Sequence, residues 1–318
     1  MIEGFLRAAL IAWGAIVRRP LGLCDSSDLD GIVCGALFKM KYPEGVLVLA
    51  PPSVVKSSQL VRLVKWEFVA DLPCPGRARI RADHHASNKP CADEEFFDPS
   101  APAAAVLAIK ALGLEENPLA KRLVELAVES DTARLKTKEA ILLSYAVKGA
   151  DLQGRMFLAR ELARRGLKLL EDPRVLSWAR RFEERIRRTN QLLERLPVRE
   201  EAIIVFERDL GLAYRHLCIE LERKGAKLTY VLVPKGLFTV RLYAGARLDG
   251  PFDASKLAKR LGGGGHRYSA GATIKAIPRA RALKAAIKVV AEEIGVDARA
   301  TIVRGDGSLS EVRLGELL

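Results

Sequence analysis

Residues Ile80-Arg81-Ala82-Asp83-His84-His85-Ala86-Ser87-Asn88 hold two of the chain's four histidines, side by side and directly after an acid. The stretch reads as the end of a short strand entering a loop, which is where α/β proteins place ligand-binding groups. Imidazole and carboxylate together make a ligand set suited to Mn, Fe or Zn. A surface His-His pair beside a loop aspartate is the competing reading, and the rest of the chain must decide between them. Asp28-Leu29-Asp30 is a second acidic station. An extended loop would point both carboxylates the same way. Capping of the helix that follows explains one of Asp25, Asp28 and Asp30 and does not require all three. Asp71 closes a strand and Asp131 sits in Glu129-Ser130-Asp131-Thr132, each by itself an ordinary turn or cap residue.

Leu261-Gly262-Gly263-Gly264-Gly265-His266-Arg267-Tyr268-Ser269-Ala270-Gly271 is the other stretch with chemical content. Four glycines without side chains would let backbone N–H groups approach an anion closely. His266 and Arg267 follow at once and suit a phosphate. Arg241, in Thr239-Val240-Arg241-Leu242, would reach a phosphate or base, against the plain reading of a surface strand arginine. His216 falls inside a helix beside an apolar face and reads as structural.

The elements that would position these groups alternate. Strands are expected at 21–24, 46–50, 67–73 and 77–82, with helices at 32–40 and 54–65 between them. Such alternation argues for a parallel sheet covered on both faces, with the acidic and histidine stations along one edge. Residues 101–148 are helical in pattern, and an amphipathic helix occupies the first seventeen. Residues 155–199 hold 13 Lys/Arg against 6 acids on a helical period, either a solvated connector or a cationic wall beside a nucleic-acid track. A second α/β unit begins near Glu201, with strands at 202–206, 228–233 and 238–243 and a helix at 213–223. The tail at 301–304 and 312–314 adds a small strand or helix. The expected fold class is thus α/β: a parallel-sheet N-terminal domain at 1–150, a basic helical connector at 151–199 and a smaller α/β domain at 200–318.

Composition narrows the class. At 318 residues the chain can carry two cores. A net charge of +13 suggests a polyanionic partner. Five cysteines, an odd number without a C-x-x-C pair, argue against a disulfide scaffold and for a reducing cytoplasm. No apolar run is long enough to span a bilayer, so no membrane is expected. Asn, Gln and Met occur three times each, as in hyperthermophile proteins.

Four acidic stations in order, Asp28-x-Asp30, Asp71 after a strand, Asp83-His84-His85 and Asp131, resemble the DHH phosphoesterase superfamily. Its members include RecJ-type exonucleases, nano-RNases, cyclic-dinucleotide phosphodiesterases and family II inorganic pyrophosphatases. The Gly-Gly-Gly-His run with Ala270-Gly271 resembles the substrate-binding signature of the DHH-associated C-terminal domain, and Arg241 matches that domain's strand arginine. The two motif sets together cover most of residues 20–295.

The resemblance implies two divalent cations, Mn2+ first and Mg2+ as the alternative. Asp71 would bridge them, Asp28 would bind the first, and Asp30, His84 and Asp131 the second. Asp83 would orient His84, and His85 would face the phosphate. Gly263, Gly264, Gly265, His266, Arg267 and Arg241 would hold substrate. The implied activity is hydrolysis of single-stranded DNA or RNA, or of short oligonucleotides, to nucleoside monophosphates. The first motif departs from the family: Cys24 and Ser26 stand where relatives commonly carry His or Asp. Cys24 is therefore a candidate thiolate ligand or a packed core residue. The departure keeps open a weakly or non-catalytic RecJ-like subunit of a replication or repair assembly, and a homodimer is also open.

Overall fold

The computed structural model describes residues 2–318, which divide into two compact units, one ending at Glu183 and the other running Glu184–Leu318. In the first unit the chain passes through α1 (Ile2–Ile16), β1 (Leu21–Asp25), α2 (Leu29–Lys41) and β2 (Val46–Ala50). Two short helices follow, α3 (Pro52–Ser57) and α4 (Gln59–Leu63), then β3 (Lys65–Ala70), β4 (Arg77–Asp83) and β5 (Ala92–Phe97). The expected single helix at 54–65 is two, because Ser58 takes extended backbone and caps the second through Val61 N–H. The strands form one parallel sheet in the order β2-β1-β3-β4-β5. The edge strand β5 is missed by the sequence reading, since Asp93, Glu94 and Glu95 give it the look of a solvated loop. Charge on an edge strand discourages pairing with other chains.

Helices α5 (Ala104–Ala111), α6 (Pro118–Asp131), α7 (Lys138–Gly149) and α8 (Leu152–Arg165) complete the unit, with a 3₁₀ turn at Gly166–Glu171. One sheet face packs Cys24, Leu49, Phe68, Ile80 and Ala82 against α2, α5 and the helices beyond. The other packs Leu21, Leu23, Val48, Trp66 and Val69 under Ile11 of α1, Val55 and Val61. Residues 151–183, expected as connector, lie within the first unit, because Leu158, Ala159 and Leu162 are buried in the α2 core. Helix α9 (Pro173–Leu193) carries the chain into the second unit.

The second unit runs β6 (Glu201–Phe206), α10 (Tyr214–Arg223), β7 (Leu228–Lys235), β8 (Thr239–Ala246), α11 (Ala254–Arg260), β9 (Gly264–His266), β10 (Ser269–Lys275), α12 (Arg279–Ile294), β11 (Arg299–Val303) and β12 (Leu309–Arg313). Its mixed sheet has the order β12-β11-β6-β7-β8-β10-β9, so the tail adds a strand pair at the edge, followed by a 3₁₀ turn at Leu314–Leu317. One face is covered by α11 and α12, the other by α10 and the end of α9.

Candidate metal centre

The C-terminal ends of β1, β3 and β4 converge on one acidic pocket. Asp25 ends β1, and its Oδ1 accepts from Ser27 N–H (3.0 Å) and Ser27 Oγ (2.9 Å). Asp28 is the N-cap of α2, accepting from Gly31 N–H at 3.3 Å. The residue after Asp30 must be glycine, because a Cβ on Gly31 would lie 2.3 Å from the Asp25 carbonyl oxygen. Asp30, 1% exposed, accepts from Ala104 N–H (2.7 Å) and Ala105 N–H (2.9 Å). Those are the open donors of α5, whose cap residue Ala103 has no side-chain acceptor. Asp71 follows β3 with φ +58°, a left-handed conformation that aspartate tolerates better than most residues. Its N–H still pairs with Ala82 of β4, at 3.0 Å.

Of the three-residue sets whose ligand atoms lie within 4.8 Å of one another, two share no residue, Asp25, Asp28 and Asp71, and Asp30, His84 and Asp131, while a third, Asp71, Asp83 and His85, shares Asp71. Asp71 Oδ1 also lies 3.8 Å from His84 Nε2, so it stands between the sets. His84 Nε2 is 3.7 Å from Asp131 Oδ2. His84 Nδ1 contacts the Ala101 carbonyl at 3.0 Å. A carbonyl only accepts, so Nδ1 donates there, and Nε2 is the ring nitrogen turned toward the carboxylates. Oxygen and imidazole donors in this number fit a hard or borderline divalent cation.

The expected role of Asp83 is corrected by the geometry. Asp83 Oδ1 meets His85 Nδ1 at 3.0 Å, not His84, and its Oδ2 is taken by Arg81 and by Asn88 Nδ2 (2.6 Å). The backbone turn after β4 sends His84 toward Ala101 and folds His85 back over Asp83. Arg81 is fully buried and also binds Glu95 (3.1 Å) and the Leu72 and Lys89 carbonyls. This Arg81–Asp83–His85 chain was missed, although a lone arginine at an inward strand position signals a buried ion pair.

Electrostatics follow from crowding. Burial and the neighbouring Asp28 charge raise Asp25 to about 7. Burial, then Asp28, raise Asp131 to about 6, with His84 and His85 opposing. Asp30 is pushed well above the carboxylate range by burial, then Asp131; Asp71 likewise by burial, then Asp30. Burial opposes ionisation of Asp83, but the His85 hydrogen bond, that ring's charge and Arg81 outweigh it and hold the pKa down. Burial likewise opposes charging of His85, and the Asp83 bond outweighs it and raises the ring.

Cys24 lies away from both sets. It is fully buried on the α2 face of β1, and burial raises its thiol far above the usual value. Strand alternation turns Asp25 to the other side, and Asp25, not Cys24, joins Asp28 and Asp71. Ser26 is buried and offers its carbonyl to Arg155 at 2.9 Å. Asp131 is the last residue of α6 and caps nothing; Thr137 caps α7. The cysteines hold a further correction: Cys74 and Cys91 form a disulfide, Cα–Cα 5.9 Å, joining the loop after β3 to the loop before β5.

In the second unit, Arg241 is exposed on β8 with its guanidinium 5.1 Å from the Tyr243 ring. The glycine run is tightly packed. A Cβ on Gly263 would meet the Gly271 carbonyl oxygen at 2.1 Å, and one on Gly265 the Ser269 carbonyl oxygen at 2.5 Å. Close approach of β9 to β10 therefore requires these two glycines, with Gly264 paired to Gly271 between them. His266 and Tyr268 rings are nearly parallel, centroids 5.4 Å apart. Arg267 binds the Gly250 (2.7 Å) and Phe252 (3.2 Å) carbonyls and so fixes a loop. His216 bonds Asn190 at 2.9 Å.

Residues 221–295 match the DHHA1 domain. Among curated proteins none matches the chain's sequence. Solved structures with the same fold include a pGpG-specific phosphodiesterase, PggH, from Vibrio cholerae, at 16% identity, TM-score 0.59, covering 86% of this chain and 99% of that one. An exonuclease RecJ bound to manganese aligns at 13% identity and TM-score 0.55 over 91% of this chain and 94% of its own. An exopolyphosphatase-related protein from Bacteroides fragilis aligns at 14% and 0.51, over 86% and 90%. The chain thus has the fold of the DHH and RecJ proteins. Its second unit contains a DHHA1 domain, and the resemblance carried by Asp83-His84-His85 to the DHH phosphoesterases stands.

Proposed function

We propose that this protein is a divalent-metal-dependent phosphodiesterase that shortens single-stranded or very short nucleic acids to nucleoside monophosphates, with Mn2+ as the preferred ion. The observation that carries the reading is Asp71 standing between two ligand sets, 3.8 Å from His84 and grouped with Asp25 and Asp28. Asp25, Asp28 and Asp71 would hold one ion, and Asp71, Asp30, His84 and Asp131 the other. Such a pair activates a water and stabilises the entering and leaving oxygens of a phosphodiester. Asp83 fixes the ring of His85 through Nδ1, and that ring would face a substrate phosphate. In the second unit, Arg241 and His266 would hold substrate, with Tyr268 beside His266 as a surface for a base.

Further support comes from the PggH and RecJ structures, whose names describe phosphodiester hydrolysis on the same fold. Arg181, Arg185 and Arg188 on α9 would lengthen the track for longer strands. The test is release of labelled mononucleotide from a trinucleotide and from a long single strand, with Mn2+, with Mg2+ and with chelator. Ion-dependent turnover is expected, abolished in Asp71→Ala. Tight strand binding without turnover in any ion would overturn it in favour of a non-catalytic RecJ-like subunit, the reading that Ser26 keeps in view.

A further inference from the structure

Helix α1 covers the sheet with one side and leaves the other bare. Arg7, Ile11 and Gly14 face inward. The outer side presents Ile2 (82% exposed), Phe5 (79%), Trp13 (59%) and Ile16 (76%), with Ala9 and Ala12 between them. Positions 2, 5, 9, 13 and 16 follow one another by steps of three or four and share one face of the helix. A solvent face would carry polar residues there. The one exposed charged residue of α1, Glu3, is paired with Arg7 at 3.1 Å.

The pattern is self-complementary. About a two-fold axis at Ala9, an antiparallel second copy sets Ile2 against Ile16, Phe5 against Trp13 and Ala9 against Ala9. Large side chains then meet large ones at both ends, and the small residue sits where the backbones cross most closely. The charges agree. Glu3 lies in the first turn and Arg18 and Arg19 lie just beyond the last, so antiparallel pairing brings acid toward base and opposes the helix dipoles. A parallel pair would stack like charges. At roughly 150–250 Å² for each large aromatic, Phe5 and Trp13 amount to about 400 Å² per copy, or about 800 Å² across a dimer, and Ile2 and Ile16 add to this toward about 1,200 Å², the lower bound for a stable specific interface.

We propose that α1 is the dimerisation element of this protein, pairing antiparallel with α1 of a second copy across a two-fold at Ala9. The test is sedimentation velocity on the full chain. The native protein should run at twice 34.9 kDa, and Phe5→Glu and Trp13→Glu at the monomer mass with unchanged circular dichroism and melting. Oxidised Ala9→Cys should form a covalent dimer. A mixture of Ile2→Cys and Ile16→Cys proteins should cross-link to each other, whereas neither should cross-link to itself. A native monomer at micromolar concentration, a dimer that survives both glutamate substitutions, or self-linking Ile2→Cys would overturn the proposal. A monomer that floats with phosphatidylglycerol vesicles would also overturn it and make the face a lipid contact. None of these readouts depends on nuclease activity.

Discussion

Asp83 holds His85, not His84: its Oδ1 lies 3.0 Å from His85 Nδ1, while His84 turns to the Ala101 carbonyl. Two adjacent histidines are thus oriented by different partners, one presenting Nε2 among the carboxylates and the other tied to a buried aspartate–arginine pair.

Asp83→Asn should separate these roles. It keeps the shape but removes the charge that raises His85, so the ring should titrate at lower pH. The raised value means the Asp83–His85 interaction stabilises fully below 6.5, the ordinary histidine value, and is lost as pH rises through the folded one. NMR titration of the His85 ring checks this. Turnover should fall about 10- to 100-fold, as for loss of a group that orients another, with divalent-ion affinity little changed.

The acidic pocket should make the metal-free protein sensitive to pH. Asp25 moves up from 3.8 to about 7, so the folded state holds a proton that the unfolded chain has released. Stability should therefore fall as pH rises from about 4 to about 7, opposite in sign to a salt-bridged carboxylate. Thermal melts in chelator across that range should show the decline, and Asp25→Asn should make it shallower, the remainder coming from Asp30, Asp71 and Asp131. Added Mn2+ should raise the melting temperature of the native chain more than that of Asp25→Asn.

Cys24→Ser should leave the affinity for Mn2+ unchanged by calorimetry, because Cys24 belongs to neither ligand set. It should still lower stability by about 1–3 kcal/mol, the cost of placing a hydroxyl in an apolar core. A fall in ion affinity larger than that for Asp25→Asn would return Cys24 to the site.

The disulfide closes a loop with sequence separation 17. Cys74→Ser with Cys91→Ser should lower unfolding free energy by about 3 kcal/mol. Comparing denaturant midpoints of the native chain with and without reductant, against the double variant, measures it. Equal midpoints for all would show that the link contributes nothing.

The acidic stations were legible through their order along the chain, which resembles the DHH family: Asp28 and Asp30 open a helix, Asp71 and His84 follow strands, and Asp131 ends a helix. Taken singly, Asp71 and Asp131 read as turn or cap residues, and only the resemblance joined them to Asp28, Asp30 and His84 without knowledge of strand pairing. Choosing between Cys24 and Asp25 did, because a shift of one residue along a strand reverses the face. The network of Arg81, Glu95 and Asn88 was illegible because β5 looks like an acidic loop until it pairs with β4, setting Arg81 opposite Glu95. Arg267 looked like a phosphate ligand because sequence does not show the 250–252 carbonyls that occupy it. The glycine run was read as a cradle, where Gly263 and Gly265 answer first to the backbone of β10.

The Cys74–Cys91 link turns the segment it closes into a covalent ring that includes all of β4 and carries Asp83, His84 and His85. A peptide bond cut anywhere between those cysteines would open the ring without releasing either piece. The strand bearing the histidines would stay joined to the molecule through one of the two cysteines, and the damage would show only on a gel run with reductant. In a cell that keeps thiols reduced, the same cut would divide the molecule in two.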